Sequence, residues 1–361
     1  MTDRNVPLNC VSLFSGCGGL DLGLKRAGFN TLAAVELDAD CVASFKANFP
    51  EADVLCADIV GWPEGDMQEW FRQFKQPIAL LAAGPPCPPF SKSRFWRTDL
   101  PKGFADPDGA GSFRAVLAAI RMARPLAFVI ENVKGLTYRG NRAALDSVVK
   151  DAEELGYSVT WTVVNAADFG VAQLRERCFV VGLLGGKPFE FPSPTHAKEP
   201  EGTGLERWVT AGDVLNDLDT EEAANKWGHT AGGRFKHLLE ELPPGQNYLY
   251  FTAERGYPDP QFKWRSRYWT YLLKLSPDLP SWTIQAKRTN NMGPLHWRNR
   301  VLRIEEVKRL QSFPDDFVLY GDVNKKWRQL GNAVPPLLAE SLGRAVAAQL
   351  RSTGGWMTEA A

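Results

Sequence analysis

Over roughly the first 185 residues, short apolar runs alternate with segments whose apolar positions recur at helical spacing. Residues 9–14, 31–35, 54–57, 78–82 and 126–130 read as buried strands, and 158–164 and 178–183 as two more. Between them, residues 19–27 form a helical segment that Gly28 closes, and 40–48 form another. This alternation predicts an α/β fold with a doubly wound, mostly parallel sheet. The pattern breaks near 187–194, and up to about residue 300 the chain is rich in Gly, Pro and Trp with weak periodicity. Regular patterning returns at 304–311 and 336–350. The expected organisation is a discontinuous domain of residues 1–188 and 325–361, with a smaller loop-rich domain over 189–324.

Composition narrows the picture modestly. A chain of 361 residues can bury a large core in two lobes. No apolar run reaches membrane-spanning length, and the first residues lack a signal-peptide pattern, so no membrane association and a cytoplasmic location are expected. The six cysteines include no C-x-x-C pair, which argues for reduced thiols and no metal site. Lys plus Arg and Asp plus Glu both number 42, so net charge says nothing about a polyanionic partner. Its distribution does. Residues 255–303 hold ten basic side chains against two acidic ones, interleaved with seven Tyr and Trp. That mixture suits a surface that tracks phosphates, although a solvated basic face over core aromatics reads equally well.

The most informative position is Cys87, in the run Ala83-Gly84-Pro85-Pro86-Cys87-Pro88-Pro89-Phe90-Ser91 directly after the apolar stretch 78–82. Proline fixes φ and removes a backbone donor, so the chain leaves the sheet there in a stiff loop. A thiol is thereby delivered to the carboxyl end of a strand, where open α/β sheets place their ligands. Phe14-Ser15-Gly16-Cys17-Gly18-Gly19 follows the first strand and opens a helix, a glycine loop that lets a ligand approach the backbone. Glu36 after the second strand is placed for ribose hydroxyls and Asp58 after the third for an adenine amino group; either acid could instead cap a helix. Glu131 ends the fifth strand. Arg175 and Arg177, two apart on an extended segment, point to one side.

In order along the chain, Phe14–Gly19, Pro85-Pro86-Cys87, Glu131-Asn132-Val133, Gln173-Leu174-Arg175-Glu176-Arg177 and Gly331-Asn332-Ala333-Val334-Pro335 resemble the motifs of the cytosine-5 DNA methyltransferases. Arg300–Glu306 and Gln311–Phe317 are similar to that family's penultimate motif, and the resemblance covers residues 8–345 apart from about 200–285. It implies S-adenosylmethionine as cofactor and Cys87 as the nucleophile that adds to cytosine. It also implies a protonated Glu131 near the base N3, Arg175 on the base carbonyl and Arg177 orienting Glu131. Phe14, Gly16, Cys17, Gly18, Gly19, Glu36, Leu37, Asp58, Ile59, Pro86, Asn332 and Val334 would hold the cofactor. The loop bearing Ser91, Lys92, Arg94 and Arg97, together with Gln173, Arg265, Arg267 and Arg288, would contact double-stranded DNA around a flipped-out base. Two positions depart from the family pattern, Pro88 for the usual Gln and Arg303 for the usual Thr.

The resemblance further implies a monomer, with a cognate restriction endonuclease left open as a partner. One branch of the family modifies tRNA, but the basic, Trp-rich segment favours duplex DNA. An amino-methyltransferase would carry an acid, amide or Ser before Pro-Pro, where this chain has Gly84 and Cys87. A non-enzymatic DNA-binding regulator would not need Cys87, Glu131 and Arg175 together. A nicotinamide enzyme explains neither Cys87 nor Gly331-Asn332.

Overall fold

The computed structural model describes residues 8–86, 107–220 and 230–352. Cys87, Pro88, Ser91, Lys92, Arg94 and Arg97 lie outside the described residues. The chain divides into two compact units, one of Met1–Asn165, Glu176–Ser193 and Pro336–Ala361, the other of Ala166–Arg175 and Pro194–Pro335. Compared with the expected boundaries, residues 166–175 and 325–335 go with the second unit and 189–193 with the first.

The first unit is built on strands β1 (Leu8–Leu13), β2 (Phe29–Glu36), β3 (Asp53–Cys56), β4 (Leu80–Ala83), β5 (Ala127–Val133) and β6 (Tyr157–Asn165). After the short β7 (Gln173–Leu174), which belongs to the second unit, β8 (Glu176–Leu184) returns to the sheet. The seven strands lie in the order β3-β2-β1-β4-β5-β8-β6. The first five are mutually parallel, whereas β8 runs antiparallel to both β5 and β6. The reversal follows from length. Only the stretch between Asn165 and Glu176 joins β6 to β8, too little for the crossover of a dozen or more residues that a parallel return needs. β1 and β4 are buried along their whole length, as expected of central strands read as unbroken apolar runs.

Helices α1 (Gly19–Arg26), α2 (Ala39–Asn48), α3 (Glu64–Arg72), α4 (Pro107–Ala123) and α5 (Arg142–Glu154) connect these strands. One core cluster joins Val11, Leu81, Phe128 and Ile130 of the sheet to Phe113, Val116 and Ile120 of α4. The last helix, Pro336–Ser352, packs on α1 at Gly23, where a Cβ would fall 2.3 Å from that of Ala339.

The second unit holds short elements: β7, β9 (His196–Ala197), β10 (Glu206–Arg207) and β11 (Ser281–Trp282), with α6 (Ala211–Leu215), α7 (Leu238–Glu241), α8 (Ile304–Leu310) and α9 (Val323–Asn332). β11 pairs with β7 in parallel, setting Ser281 beside Gln173 and Trp282 beside Leu174. Leu239, Phe251, Leu272, Leu295, Val307 and Leu310 are buried within it.

Candidate active site

β1 and β4 are neighbours in the sheet, and from them the strand order runs outward in opposite directions. The crevice at their carboxyl ends is the position where such sheets bind ligands. The glycine loop leaves β1 there. Phe14 sits in the left-handed region at φ +53°, which costs an aromatic residue strain, and Gly16 (+56°) and Gly18 (+92°) follow. A side chain at Gly18 would put its Cβ 2.6 Å from the Phe49 ring. Glu36, at the end of β2, clasps this loop. Its Oε2 accepts the Gly16 N–H at 2.8 Å and its Oε1 the Asp38 N–H at 2.8 Å. Each carboxylate oxygen retains a lone pair, so the group can still take two vicinal hydroxyls.

Leu37, next in sequence, is 65% exposed, and Val60 is also exposed, whereas Ile59 is buried. Asp58 is exposed, and its Oδ1 caps the turn that follows β3 by accepting the Val60 N–H at 3.0 Å. The helix-cap reading is therefore correct for that oxygen. A backbone loop open to close approach, a carboxylate suited to a diol and an exposed aliphatic side chain fit an adenosine-containing cofactor. Gly19 and Cys17 are buried, and burial pushes the Cys17 thiol up to about 12.

On the other side of the crevice, β4 is followed by Gly84, whose N–H donates to the Leu13 carbonyl at 3.1 Å. Pro85 is buried and Pro86 exposed. Asn132, 1% exposed, fixes this loop, donating from Nδ2 to the Pro85 carbonyl at 3.2 Å while its Oδ1 accepts the Val133 N–H at 2.9 Å. This role of Asn132 joins segments 47 residues apart and has no mark in the local sequence. Glu131 is buried at the end of β5, and a Cβ at Gly84 would lie 3.8 Å from its Oε2. The register of β5 on β8 pairs Val133 with Arg177 and Glu131 with Phe179, so Glu131 and Arg177 are diagonal neighbours. Their ion pair closes at 2.9 Å from Nε to Oε1, and Arg177 Nη1 donates to the Glu176 carbonyl.

Three of the described cysteines offer poor alternatives to Cys87. Burial holds the thiols of Cys10, Cys17 and Cys178 well above the ordinary range, the last two at about 12. Only the thiolate is nucleophilic.

Arg175 corrects an expectation. Its side chain is fully buried within the second unit, where Nη1 donates to the Ile284 carbonyl at 3.1 Å and Nη2 to those of Gly331 and Ala333 at 2.7 and 2.9 Å. A guanidinium committed to three backbone carbonyls ties residue 175 to the Gly331–Pro335 motif within the second unit and is not presented to a base. Gln173 is corrected for the same reason. It is fully buried, with Nε2 donating to the Leu310 carbonyl and Oε1 accepting the Ile284 N–H, so it is not a DNA contact. Gly331 meets residue 286 closely, since a Cβ there would lie 2.6 Å from the Ala286 Cα. Asn332 is exposed and Val334 buried, both in the second unit.

The basic segment divides. Arg265 and Arg267 are exposed, their guanidinium groups 5.8 Å from the rings of Trp264 and Tyr271. Arg288 is half-buried, and burial lowers its pKa. Three others are structural, which corrects the view of the whole window as one phosphate-tracking surface. Lys274 is buried and donates to the Leu239 and Leu242 carbonyls at the end of α7. Arg300 forms a two-pronged pair with Glu306 at 2.8 and 2.6 Å. Arg303, the departure from the family pattern, donates to the Leu218 carbonyl and to Glu306. Burial works to raise the Glu306 carboxyl, but these partners hold it down at about 2. Beside it, burial and then Arg300 lower His296 to about 4, keeping it neutral.

The family model for C-5 cytosine-specific DNA methylases matches residues 8–348. The Type II methyltransferase M.SacI of Streptomyces achromogenes is 37% identical, with 96% of this chain and 94% of that protein covered. M1.HphI of Haemophilus parahaemolyticus is 32% identical, covering 94% and 86%. Among solved structures, methyltransferase EhMeth of Entamoeba histolytica superposes with a TM-score of 0.62 at 15% identity, covering 95% of this chain and 99% of that one. The Dnmt2 methyltransferase of S. pombe gives 0.58 at 14%, covering 96% and 99%. At such identities the structural likeness speaks for the fold. Among the described residues, no helix is long and apolar enough to cross a membrane, and no cluster of His, Cys, Asp and Glu could hold a metal ion.

Proposed function

Because the chain belongs to the C-5 cytosine-specific DNA methylase family, we propose that it methylates carbon 5 of a flipped-out cytosine within a specific double-stranded DNA sequence, as the modification partner of a restriction endonuclease. Carbon 5 of cytosine is a poor nucleophile until a thiolate adds at carbon 6 and turns the ring into an enamine. Cys87 is that thiol. S-adenosylmethionine, when bound, supplies the electrophilic methyl group. In this reading Gly16, Glu36, Leu37, Asp58 and Ile59 bind the cofactor, Glu36 by its remaining lone pairs on the ribose diol.

The observation that carries the reading is the buried Glu131–Arg177 pair facing the Gly84-Pro85 turn that leads to Cys87. A protonated Glu131 donates toward the base N3 and neutralises charge that develops on the ring. Arg177 orients that carboxyl. It also takes the base-carbonyl role that Arg175, held on three backbone carbonyls, cannot fill. A stacked cytosine is out of reach of such a pocket, so the base leaves the helix at a cost of a few kcal/mol.

Bisulfite sequencing of DNA from a methylation-free host expressing the chain tests this directly. Protected cytosines confined to one short recurring sequence are expected. Full conversion of every cytosine by bisulfite, with the protein expressed and folded, would overturn the proposal.

A further inference from the structure

Residues 263–269 of the second unit are all exposed, and apart from Ser266 they are all basic or aromatic: Lys263, Trp264, Arg265, Arg267, Tyr268 and Trp269. No acid interrupts them, so the charge complements a polyanion. Exposed segments outside regular elements are ordinarily mobile. This one is pinned from beneath by two buried side chains. The Tyr248 side chain, 1% exposed, turns its hydroxyl to the Arg267 backbone, donating to the carbonyl at 2.8 Å and accepting the N–H at 3.2 Å. Asn247, also buried, donates from Nδ2 to the Trp269 carbonyl at 2.8 Å, while its Oδ1 accepts the Leu249 N–H and caps the turn Tyr248–Phe251.

The ridge also braces itself. The Lys263 carbonyl accepts both the N–H and the hydroxyl of Ser266, at 3.1 and 2.7 Å. Arg265, inside that turn, takes a left-handed φ of +52°, which persists in a non-glycine residue only where its surroundings enforce it.

We propose that Tyr248 is a positioning residue for sequence discrimination: without touching DNA, its hydroxyl holds the 263–269 ridge in the one shape that fits the recognised duplex. The proposal rests on the DNA-methylating reading above. Attraction between cationic side chains and phosphates is indifferent to sequence and needs only their charge. Register on one site needs those contacts at fixed positions, so that base edges fall opposite the groups that read them. A ridge ordered before binding avoids the cost of ordering it on the DNA, and a loosened one binds the site at a penalty. Tyr248 therefore bears on discrimination and not on charge.

The test compares full-length wild type with Tyr248→Phe, which keeps the buried ring and every charge and removes only the hydroxyl. The freed Arg267 amide and carbonyl belong to an exposed residue and turn to water. Binding is measured on a duplex carrying the site found by bisulfite sequencing and on one lacking it. Tyr248→Phe should lose about tenfold in the ratio of the two affinities, with its affinity for the site-free duplex and its salt slope as in wild type. Thr252→Val removes another buried hydroxyl, bonded at 2.8 Å to the Leu249 carbonyl at the end of the same turn, and should keep the wild-type ratio. An unchanged ratio in Tyr248→Phe would overturn the proposal. An equal loss on both duplexes, or the same fall in ratio for Thr252→Val, would do so too, since either marks a merely structural role. Hydrogen exchange of the wild-type protein without DNA tests the clamp with no variant. The Arg267 amide should exchange slowly, and exchange as fast as in an unstructured peptide would also overturn the proposal. A wild type that leaves every cytosine open to bisulfite fails the methylating reading instead, and exchange at Arg267 still decides whether the clamp exists.

Discussion

Arg175 and Arg177 share a charge and stand two residues apart, yet their partners divide their work. Arg175 satisfies three buried carbonyls; Arg177 holds the buried carboxyl group of Glu131. Arg175→Met would leave those carbonyls unpaired, so a loss of at least about 3 kcal/mol in stability is expected. Arg177→Lys keeps the charge and loses the planar fork, so it should unfold near the wild-type temperature while methylating at least about tenfold more slowly. Thermal melts and single-turnover rates separate the two, and a stable, slow Arg175→Met protein would restore the base-contact role. The sequence could place both arginines on one side but could not tell them apart, because the carbonyls that engage Arg175 lie more than a hundred residues further along the chain.

Asp21 carries a second residue-scale consequence. It is fully buried in the first turn of α1, the helix that the glycine loop opens, where burial raises its carboxyl to about 7 against the hydroxyls of Ser12 and Thr31, which donate to it. The folded state therefore binds a proton that the unfolded chain releases near the ordinary 3.8. Its contribution is complete below that value and is lost as pH rises through 7, by up to about 4 kcal/mol. Melting temperatures of wild type and Asp21→Asn should converge at the acid end and diverge toward pH 7, the variant keeping more of its stability. Parallel curves would show that Asp21 does not titrate in this range.

At the scale of elements, the parallel strands were legible because continuous apolar runs bounded by Gly and Pro admit little else. The antiparallel return of β8 leaves no mark in the apolar pattern, and only the brevity of the 166–175 connection implies it. The basic window misled for a different reason. Counting charges between 255 and 303 overlooks acids outside it, and Glu306 engages Arg300 and Arg303. Arg265→Ala and Arg267→Ala should each flatten the salt dependence of DNA affinity by about one unit without changing the melting temperature. Lys274→Met should do the reverse, destabilising the unit by freeing the α7 carbonyls while leaving the salt slope alone. A salt slope that answers to Lys274 and not to Arg265 or Arg267 would put the phosphate surface elsewhere.

At the scale of the molecule, the order of the motifs says more about which loops come together than about the contacts that support them. Glu131, Arg177 and the loops after β1 and β4 meet where strand order foretold, at the reversal between β1 and β4. Asn132 on the Pro85 carbonyl and Arg175 on the Gly331 carbonyl needed the fold, since each joins segments distant in sequence. The central claim is that Cys87 bonds transiently to the cytosine it activates. A target cytosine bearing fluorine at carbon 5 can accept the methyl group but cannot release fluorine as a cation, so elimination of the thiolate stalls. Wild-type protein incubated with S-adenosylmethionine and a duplex carrying that base should give a protein–DNA band that survives boiling in detergent, with the crosslink mapping to Cys87. Cys87→Ala should bind the duplex yet give neither the band nor methylation. Methylation of cytosine by Cys87→Ala, or a crosslink on Cys56 in its place, would contradict the account.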